Sequence, residues 1–247
     1  MENDEEVTGK LYVIATPIGN MEDITLRALR TLAEIEVLAS EDTRHTRQIF
    51  VRNNIALPPL YFPYHERNEG SAAVRILSLL AEGKQVGLTS NAGYPGISDP
   101  GYVIISKAIE QGYPVEVIPG ASTVPIALLK SGLSTSSYTF KGFPPRKPGK
   151  RGTFIAMERD LPHTMIYFES PHRVGVFLKQ AYEVLGNRQA AVCVELTKVF
   201  EQVTRGYLGD LAVKFASAKI KGEVAVVIAG NNPKFARDEE NDDDDEE

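Results

Sequence analysis

Residues 11–29 read LYVIATPIGNMEDITLRAL, which is a strand-like apolar run, a short loop and the beginning of an amphipathic helix. Further strand-like runs, separated by helical patterns, follow up to residue 119: EVLAS (36–40), QVGLTS (85–90) and PVEVI (114–118). Continuous apolar strands that alternate with helices are typical of a parallel sheet covered on both faces. The sequence therefore predicts an N-terminal α/β domain over residues 8–119, with a parallel sheet flanked by helices.

The helix after the first loop is predicted over residues 24–35. Asp23 stands where a capping side chain would accept hydrogen bonds from the first turn. Leu26, Leu29 and Ala33 recur at helical spacing, so they are predicted to form the buried face.

After Gly120 the pattern changes. The segment GFPPRKPGKRG (142–152) is predicted to be a proline-rich basic linker or loop. The strand-like runs beyond it are TMIYFES (164–170), AAVCVEL (190–196), EQVTRG (201–206) and GEVAVVIAG (222–230). Because several of these strands follow one another with short turns, a C-terminal α+β domain with a mixed sheet is predicted over residues 120–231. Residues 232–247 are predicted to form an acidic disordered tail.

Composition limits the possible classes of protein. With 43% hydrophobic and 24% charged residues, the chain can form large cores. Its longest apolar runs are far shorter than the ~20 residues of a membrane span, and the start MENDEE is acidic where a signal peptide is basic. We therefore expect a cytoplasmic protein with no membrane segment. Its single cysteine, Cys193, lies in an apolar strand and is predicted to be a buried structural thiol.

The formal net charge of −6 hides an asymmetry between the ends and the body of the chain. Residues 7–237 contain 27 basic and 20 acidic residues, because 13 acids lie in the two terminal segments. A basic body is compatible with a polyanionic partner, although a solvated surface is the commoner reason for scattered charge.

Four short loops follow predicted strands of the N-terminal domain: ATPIGN (15–20), SEDTRHT (40–46), SNAGYPGISDPG (90–101) and IPGAS (118–122). In an open parallel sheet, ligands bind at the carboxyl ends of the strands, so these loops predict a small-molecule site. Glycine in such loops permits close approach of a ligand to the main chain. For each loop taken alone, the alternative is an ordinary tight turn with no ligand. The four histidines lack metal-ligand spacing, so no metal is predicted.

The residues at these loops match a known family. In chain order, LYVIATPIGNMEDITLRAL, LASEDTRHTRQI, SNAGYPGISDPGY, VIPGAS, FKGFPPRK, YFESPHRV, ELTKVFEQVTRG and KGEVAVVIAG resemble the tetrapyrrole methylase superfamily. Within it they are similar to a subfamily that methylates small-subunit ribosomal RNA, and the resemblance covers about residues 10–231. It implies two α/β domains with S-adenosylmethionine in the cleft between them, a homodimer, and 2'-O-methylation of a cytidine ribose in the decoding region of the small-subunit (16S) RNA or 30S subunit.

The resemblance also implies which residues contact the cofactor. The subfamily usually has SDAGTP where this chain has SNAGYP, so a carboxylate is replaced at Asn91 and a small hydroxyl residue at Tyr94. The implied cofactor-binding residues are Pro17, Ile18, Asn91, Gly93, Tyr94, Pro95, Ala121, Ser122 and Phe168.

Methyl transfer to a ribose hydroxyl needs alignment of the reacting atoms and assistance to a poor nucleophile. The candidate catalytic residues are Glu169 in FESPHR and Glu195 and Lys198 in ELTK, with Asp42 and Arg44 as further candidates. For Glu195 and Lys198 the alternative is a structural ion pair near a strand end.

For the RNA, the segment PPRKPGKR (144–151) suits phosphate contacts, which give affinity but no sequence choice. The predicted RNA-binding residues are Arg44, Arg146, Lys147, Lys150, Arg151 and Arg173. An exposed linker kept in solution by its charges is the alternative for this segment, and Arg173 could instead cap a loop.

Two other functions stay open at this point. One is a methyltransferase of the same fold that acts on a tetrapyrrole, another small molecule or a protein side chain. The other is a non-catalytic module that binds S-adenosylmethionine or RNA, for which Asn91 is an argument.

Overall fold

The computed structural model of the protein describes residues 8–237. The chain divides into two compact units between Ser122 and Thr123. Each unit is built on its own five-stranded sheet. The acidic segments 1–7 and 238–247, the second of them the larger part of the predicted tail, lie outside the described residues.

The N-terminal unit contains a parallel sheet in the order β3-β2-β4-β1-β5. Its strands are β1 (Lys10–Ile14), β2 (Val37–Ser40), β3 (Leu60–Pro63), β4 (Gln85–Thr89) and β5 (Val115–Ile118). Its helices are α1 (Leu26–Glu34), α2 (Thr43–Arg52), α3 (Glu69–Ala81) and α4 (Tyr102–Glu110). This confirms the predicted parallel sheet flanked by helices.

Both faces of this sheet are covered by apolar residues. Leu11 and Val13 of β1 pack in one cluster with residues of α3 and α4. Ile14, one position further along, belongs to a second cluster with residues of α1 and α2. Because successive side chains of a strand point to opposite faces, the run LYVI must be apolar throughout.

The first helix differs from its prediction. Thr25, rather than Asp23, caps α1, and its hydroxyl accepts a hydrogen bond from Ala28 N at 3.1 Å. Asp23 instead lies in a short 3-10 turn. The buried residues of α1 are Ala28, Thr31 and Leu32, whereas Leu26 is 79% exposed. The prediction was therefore wrong for Leu26 and Ala33, which are exposed, whereas Leu29 is partly buried and packs against the core beside Ala28 and Leu32.

The C-terminal unit has a mixed sheet in the order β6-β7-β10-β8-β9. The strands are β6 (Tyr138–Gly142), β7 (Thr164–Glu169), β8 (Gln189–Val194), β9 (Gln202–Tyr207) and β10 (Val224–Ile228). The helices are α5 (Thr123–Ser131), α6 (Pro148–Ala156), α7 (Val174–Leu185) and α8 (Leu208–Phe215). Only β6 and β7 pair in parallel, and the other neighbours are antiparallel. The predicted mixed sheet is confirmed.

Helices α7 and α8 approach each other closely at one point. A Cβ atom on Gly175 would lie 2.3 Å from the backbone oxygen of Phe215. Because this neighbour is backbone and cannot turn away, only glycine allows the contact. Cys193 is buried in β8, and burial raises its pKa to about 11, so the thiol stays protonated.

Two segments of this unit differ from their predictions. The predicted linker 142–152 contains the start of α6, in which Pro148 occupies the first turn, where its missing N–H costs nothing. Residues 232–237, assigned to the tail, hold a 3-10 turn and a backbone bridge between Arg188 and Ala236. The acidic run begins only at Asp238, so residues 232–237 lack the repeated negative charge that keeps a segment from packing. Within 8–237, no helix has both the length and the apolar character to cross a membrane.

Candidate active site

Two loops at the carboxyl edge of the N-terminal sheet are joined by their backbones. Thr16, after β1, and Gly93, after β4, exchange two hydrogen bonds of 2.9 and 3.0 Å. The buried Thr16 hydroxyl also donates to Ser90 O at 3.2 Å. These bonds fix the loop that carries Pro17 and Ile18 against the loop that carries Asn91. Thr16 was missed in the sequence, because its role depends on a loop more than 70 residues away.

Tyr94 joins a third loop to this pair. Its hydroxyl oxygen accepts a hydrogen bond from Gly120 N at 3.0 Å. Gly93 has φ +71°, and a Cβ atom there would contact Ile18 Cγ2 at 3.5 Å and Ala121 O at 3.7 Å. The structure therefore brings Ile18, Gly93 and Ala121 together, as the resemblance implies for a cofactor site, and Ser122 follows Ala121 directly.

Asn91 has a backbone partner but an unsatisfied side chain. Its N–H donates to Glu41 Oε2 at 3.0 Å. Its side-chain oxygen is buried and accepts no hydrogen bond from residues 8–237. Because a buried acceptor without a donor is costly, this oxygen is suited to an N–H or O–H group of a ligand.

Gly96 and Gly101, in the loop after β4, allow the tight turn at the end of that loop. Gly101 has φ +148°, and a Cβ atom there would lie 2.6 Å from Gly96 N. The Gly101 N–H donates to Glu69 Oε1 at 3.0 Å, and the buried Tyr64 hydroxyl donates to the same oxygen at 3.0 Å. Glu69 and Tyr64 therefore hold the loop in place, and Tyr64 is a packing residue.

Removing the Tyr94 hydroxyl tests its role in this loop cluster. We expect Tyr94→Phe to weaken S-adenosylmethionine binding about fivefold, because the lost hydrogen bond is worth about 1 kcal/mol. Isothermal titration calorimetry measures the change. Tyr102→Phe, on the exposed side of α4, is the matched control. Equal affinities of the two variants would show that the Tyr94 hydroxyl does not shape the site.

In the C-terminal unit, Glu169 ends β7 as a carboxylate that is only 2% exposed. Its Oε1 accepts from Arg173 Nη2 at 2.6 Å and from Ser170 N at 2.6 Å. The other oxygen, Oε2, is buried and has no hydrogen-bond partner in the described part of the chain. Arg173, predicted to contact RNA, is thus paired with Glu169, predicted to be catalytic.

Glu195 and Lys198 form an ion pair of 2.8 Å beyond the end of β8. Lys198 Nζ also lies 3.0 Å from Glu223 Oε2, and Glu223 N donates to Glu195 Oε1 at 2.9 Å. Burial would raise the pKa of Glu195, but the hydrogen bonds from Lys198 and Glu223 N outweigh it and the pKa is lowered. Burial would lower the pKa of Lys198, but its two carboxylate partners raise it. Both groups are therefore charged at neutral pH.

The backbone around this pair is strained. Glu195 has φ +52° and Thr197 has φ +64°, both in the left-handed region that residues other than glycine rarely adopt. Such residues cost of order 1–3 kcal/mol each and cluster at functional sites. The strain supports a functional role for the ELTK segment beyond the ion pair.

Phe168, the remaining implied cofactor contact, belongs to an aromatic group in the C-terminal unit. Its ring lies 4.8 Å from that of Phe140 and 5.7 Å from that of Phe143, both edge to face. Pro17 and Pro95 are buried in the N-terminal unit. Within the described residues, no group of three or more metal-binding side chains is arranged to hold an ion.

The predicted RNA contacts divide into exposed and buried residues. Arg146, Lys147 and Lys150 are exposed at the start of α6. Arg151 is only 4% exposed, and its Nε donates to Gln180 Oε1. Its assignment to RNA was wrong, because the helical turn directs this position into the unit.

Arg44 is exposed, and it is bound to its neighbour Asp42. The Asp42 carboxylate caps α2 by accepting from Arg44 N at 2.9 Å and also pairs with the Arg44 guanidinium at 2.9 Å. Its hydrogen bonds to Arg44, first to the side chain and then to the backbone, lower the pKa of Asp42 to about 2. The Asp42 carboxylate therefore serves as the cap of α2 and as the ion-pair partner of Arg44.

Comparisons with known proteins agree with this architecture. The family model described as tetrapyrrole (corrin/porphyrin) methylases matches residues 10–212. The ribosomal RNA small subunit methyltransferase I of Halalkalibacterium halodurans is 41% identical over 94% of this chain and 79% of the relative. That of Thermotoga maritima is 38% identical over 90% of this chain and 99% of the relative.

Solved structures show the same fold at low sequence identity. The methyltransferase CobJ superposes with a TM-score of 0.70 at 17% identity, covering 91% of this chain and 95% of its own. The uroporphyrin-III-C-methyltransferase of Thermus thermophilus gives 0.62 at 22% identity, covering 89% and 94%.

Proposed function

Because the chain belongs to the tetrapyrrole methylase family, we propose that it is an S-adenosylmethionine-dependent methyltransferase of small-subunit ribosomal RNA. Its reaction is the 2'-O-methylation of a cytidine ribose in the decoding region. The observation that carries this proposal is the 41% identity over 94% of the chain to a ribosomal RNA small subunit methyltransferase I. The basic body of the chain, with 27 basic and 20 acidic residues between 7 and 237, suits an RNA substrate.

The loops of the N-terminal unit fit the cofactor. The unsatisfied, buried oxygen of Asn91 can accept a hydrogen bond from a donor group of S-adenosylmethionine, so the usual carboxylate is not required for that bond. Ile18, Gly93 and Ala121 lie together, where the cofactor is proposed to contact the loop backbone. The Tyr94 hydroxyl holds the loops together. S-adenosylmethionine supplies a methyl group activated by its sulfonium. Pro17, Pro95, Ser122 and Phe168 complete the proposed binding set.

The C-terminal unit supplies the candidate groups for the ribose. The ammonium of Lys198 is protonated and favours the developing negative charge on an attacking hydroxyl oxygen. Glu195, with its lowered pKa, orients this ammonium. Glu169 is the candidate proton acceptor, since one of its oxygens is buried and free of hydrogen bonds from residues 8–237.

Partners and location follow from the same proposal. The exposed Arg146, Lys147 and Lys150 are proposed to contact RNA phosphates. Arg44, paired with Asp42, and Arg173, paired with Glu169, are proposed as further RNA contacts. A homodimer is proposed from the family resemblance. A cytoplasmic location is proposed because the substrate belongs to the ribosome.

Two measurements on the purified chain test the function. Calorimetric titration with S-adenosylmethionine should give micromolar binding, of the order of −8 kcal/mol. Transfer of a labelled methyl group to unmethylated 30S subunits, followed by nuclease digestion, should place the label on a cytidine ribose. Binding without labelled RNA would favour the small-molecule or non-catalytic alternatives, and absence of binding by the folded chain would contradict the proposal.

A further inference from the structure

The C-terminal unit contains a groove of about 510 Å³, and no residue of α6 lines it. One side is formed by the segment from β8 to β9, and the other by the end of α8 and the residues that follow it. The residues of interest in its lining are Phe200, Gln202, Thr204, Lys214, Lys219 and Lys221.

The charge of this groove is positive. Lys214, Lys219 and Lys221 are all exposed and line one side of it. Glu195 is the acidic residue in the lining, and its carboxylate is already paired with Lys198 at 2.8 Å. The field of the three ammonium groups is therefore left to attract an anion from solution.

The β8–β9 segment contributes an aromatic ring to the groove. Phe200 is 78% exposed, although burying a phenylalanine normally contributes to stability. Gln202 and Thr204 follow on β9 and add amide and hydroxyl groups to the same wall. An exposed ring, several lysines and hydrogen-bonding groups that line one groove are the combination by which proteins hold single-stranded nucleic acid.

We propose that this groove binds a single-stranded segment of the RNA substrate. Lys214, Lys219 and Lys221 contact its phosphates, and a base stacks on Phe200. Because Glu195 lines the same groove, a strand held there passes beside the Glu195–Lys198 pair. That the bound strand belongs to ribosomal RNA rests on the proposed function. That the groove binds a single strand rests on the residues that line it.

Fluorescence anisotropy with a labelled oligocytidine strand tests the inference on the full chain. Phe200→Ala is expected to weaken binding about 5- to 150-fold, the effect of losing one stacked base. The double variant Lys219→Ala/Lys221→Ala is expected to reduce the slope of log K against log salt by about 1.4, since each phosphate contact to a single strand contributes about 0.7. Val213→Ala and Lys179→Ala, exposed positions of the same unit outside the groove, should leave binding unchanged.

The inference is overturned if Phe200→Ala binds like Val213→Ala, or if the salt slope of the double variant equals that of Lys179→Ala. It is also overturned if duplex RNA or an acidic peptide competes as well as the single strand, because neither offers a free base to the ring. Labelled-methyl transfer to 30S subunits, run beside the binding assay, separates the two proposals. Methylation by the wild type with normal binding by the variants overturns only the groove, whereas groove binding without methylation overturns only the function.

Discussion

Replacing Lys198 by alanine is expected to lower kcat for methyl transfer by about 10²- to 10³-fold, the usual cost of removing one group that stabilises a developing oxyanion. The ammonium is protonated at neutral pH, because its carboxylate partners raise its pKa. The measurement is single-turnover transfer of a labelled methyl group to 30S subunits, with calorimetry to show that S-adenosylmethionine still binds.

Two controls separate a catalytic role of Lys198 from a structural one. A partly exposed ion pair contributes about 0–1 kcal/mol to stability, so Lys198→Ala should lower activity while the melting temperature stays nearly unchanged. Glu223→Gln removes one partner of Lys198 and keeps the ammonium, so its effect on kcat should be much smaller. If the two variants lose activity equally, Lys198 acts through the ion pair alone.

Replacing Glu158 by alanine is expected to destabilise the C-terminal unit by about 3–5 kcal/mol, the cost of breaking a buried ion pair and leaving its partner uncompensated. Glu158 is 6% exposed, and its two oxygens lie 2.6 Å from Lys141 Nζ and 3.0 Å from His163 Nε2. Urea unfolding gives the change in free energy. Glu183→Ala, an exposed acid of the same unit, is the control and should cost less than about 1 kcal/mol.

The same carboxylate predicts a pH dependence. Burial would raise the pKa of Glu158, but the hydrogen bonds from Lys141 and His163 outweigh it, and the pKa lies below its usual value. A group with a lowered folded pKa contributes stability above its unfolded pKa, near 4.3, and that contribution is lost as the pH falls through the folded pKa. The stability of the wild type should therefore fall more steeply in acid than that of Glu158→Gln. Parallel curves would contradict the role of this carboxylate.

The central strands were predictable because their burial leaves a direct trace in the sequence. Strand β10 has a neighbour on each side, and its run VAVVI is apolar at every position. Of the four edge strands, which have one neighbour each, β5 and β9 were predicted, whereas β3 and β6 were missed. A strand paired on one side tolerates Pro63 and Lys141, so its sequence resembles that of a loop.

The errors at α1 and Arg151 both concern which side of a helix is buried. Helical spacing shows which residues of α1 share a face, but it does not show which face meets the sheet, and the helix buries Ala28, Thr31 and Leu32. The choice of Asp23 over Thr25 as cap is a separate error in the start of the helix. Composition assigned Arg151 to a basic loop, while the helical position directs it inward to Gln180.

The bonds within the candidate site could not be predicted from the sequence. The family resemblance named Asn91, Tyr94, Glu195 and Lys198 as candidates, and their roles stay predictions. The Tyr94 bond to Gly120 joins residues 26 positions apart in different loops, and no local pattern specifies it. The same holds for the bond from Asn91 N to Glu41, which spans 50 positions.

The all-parallel order of the N-terminal sheet also matters for protein engineering. Every loop of the candidate site follows the carboxyl end of a strand, so the turns at the opposite edge can be altered independently. Gly112, between α4 and β5, lies at that opposite edge in open space, but its φ of +79° favours glycine, so it should be kept and an insertion placed beside it. An affinity tag or a fluorophore attachment sequence placed at this turn should leave binding and methyl transfer at the other edge undisturbed.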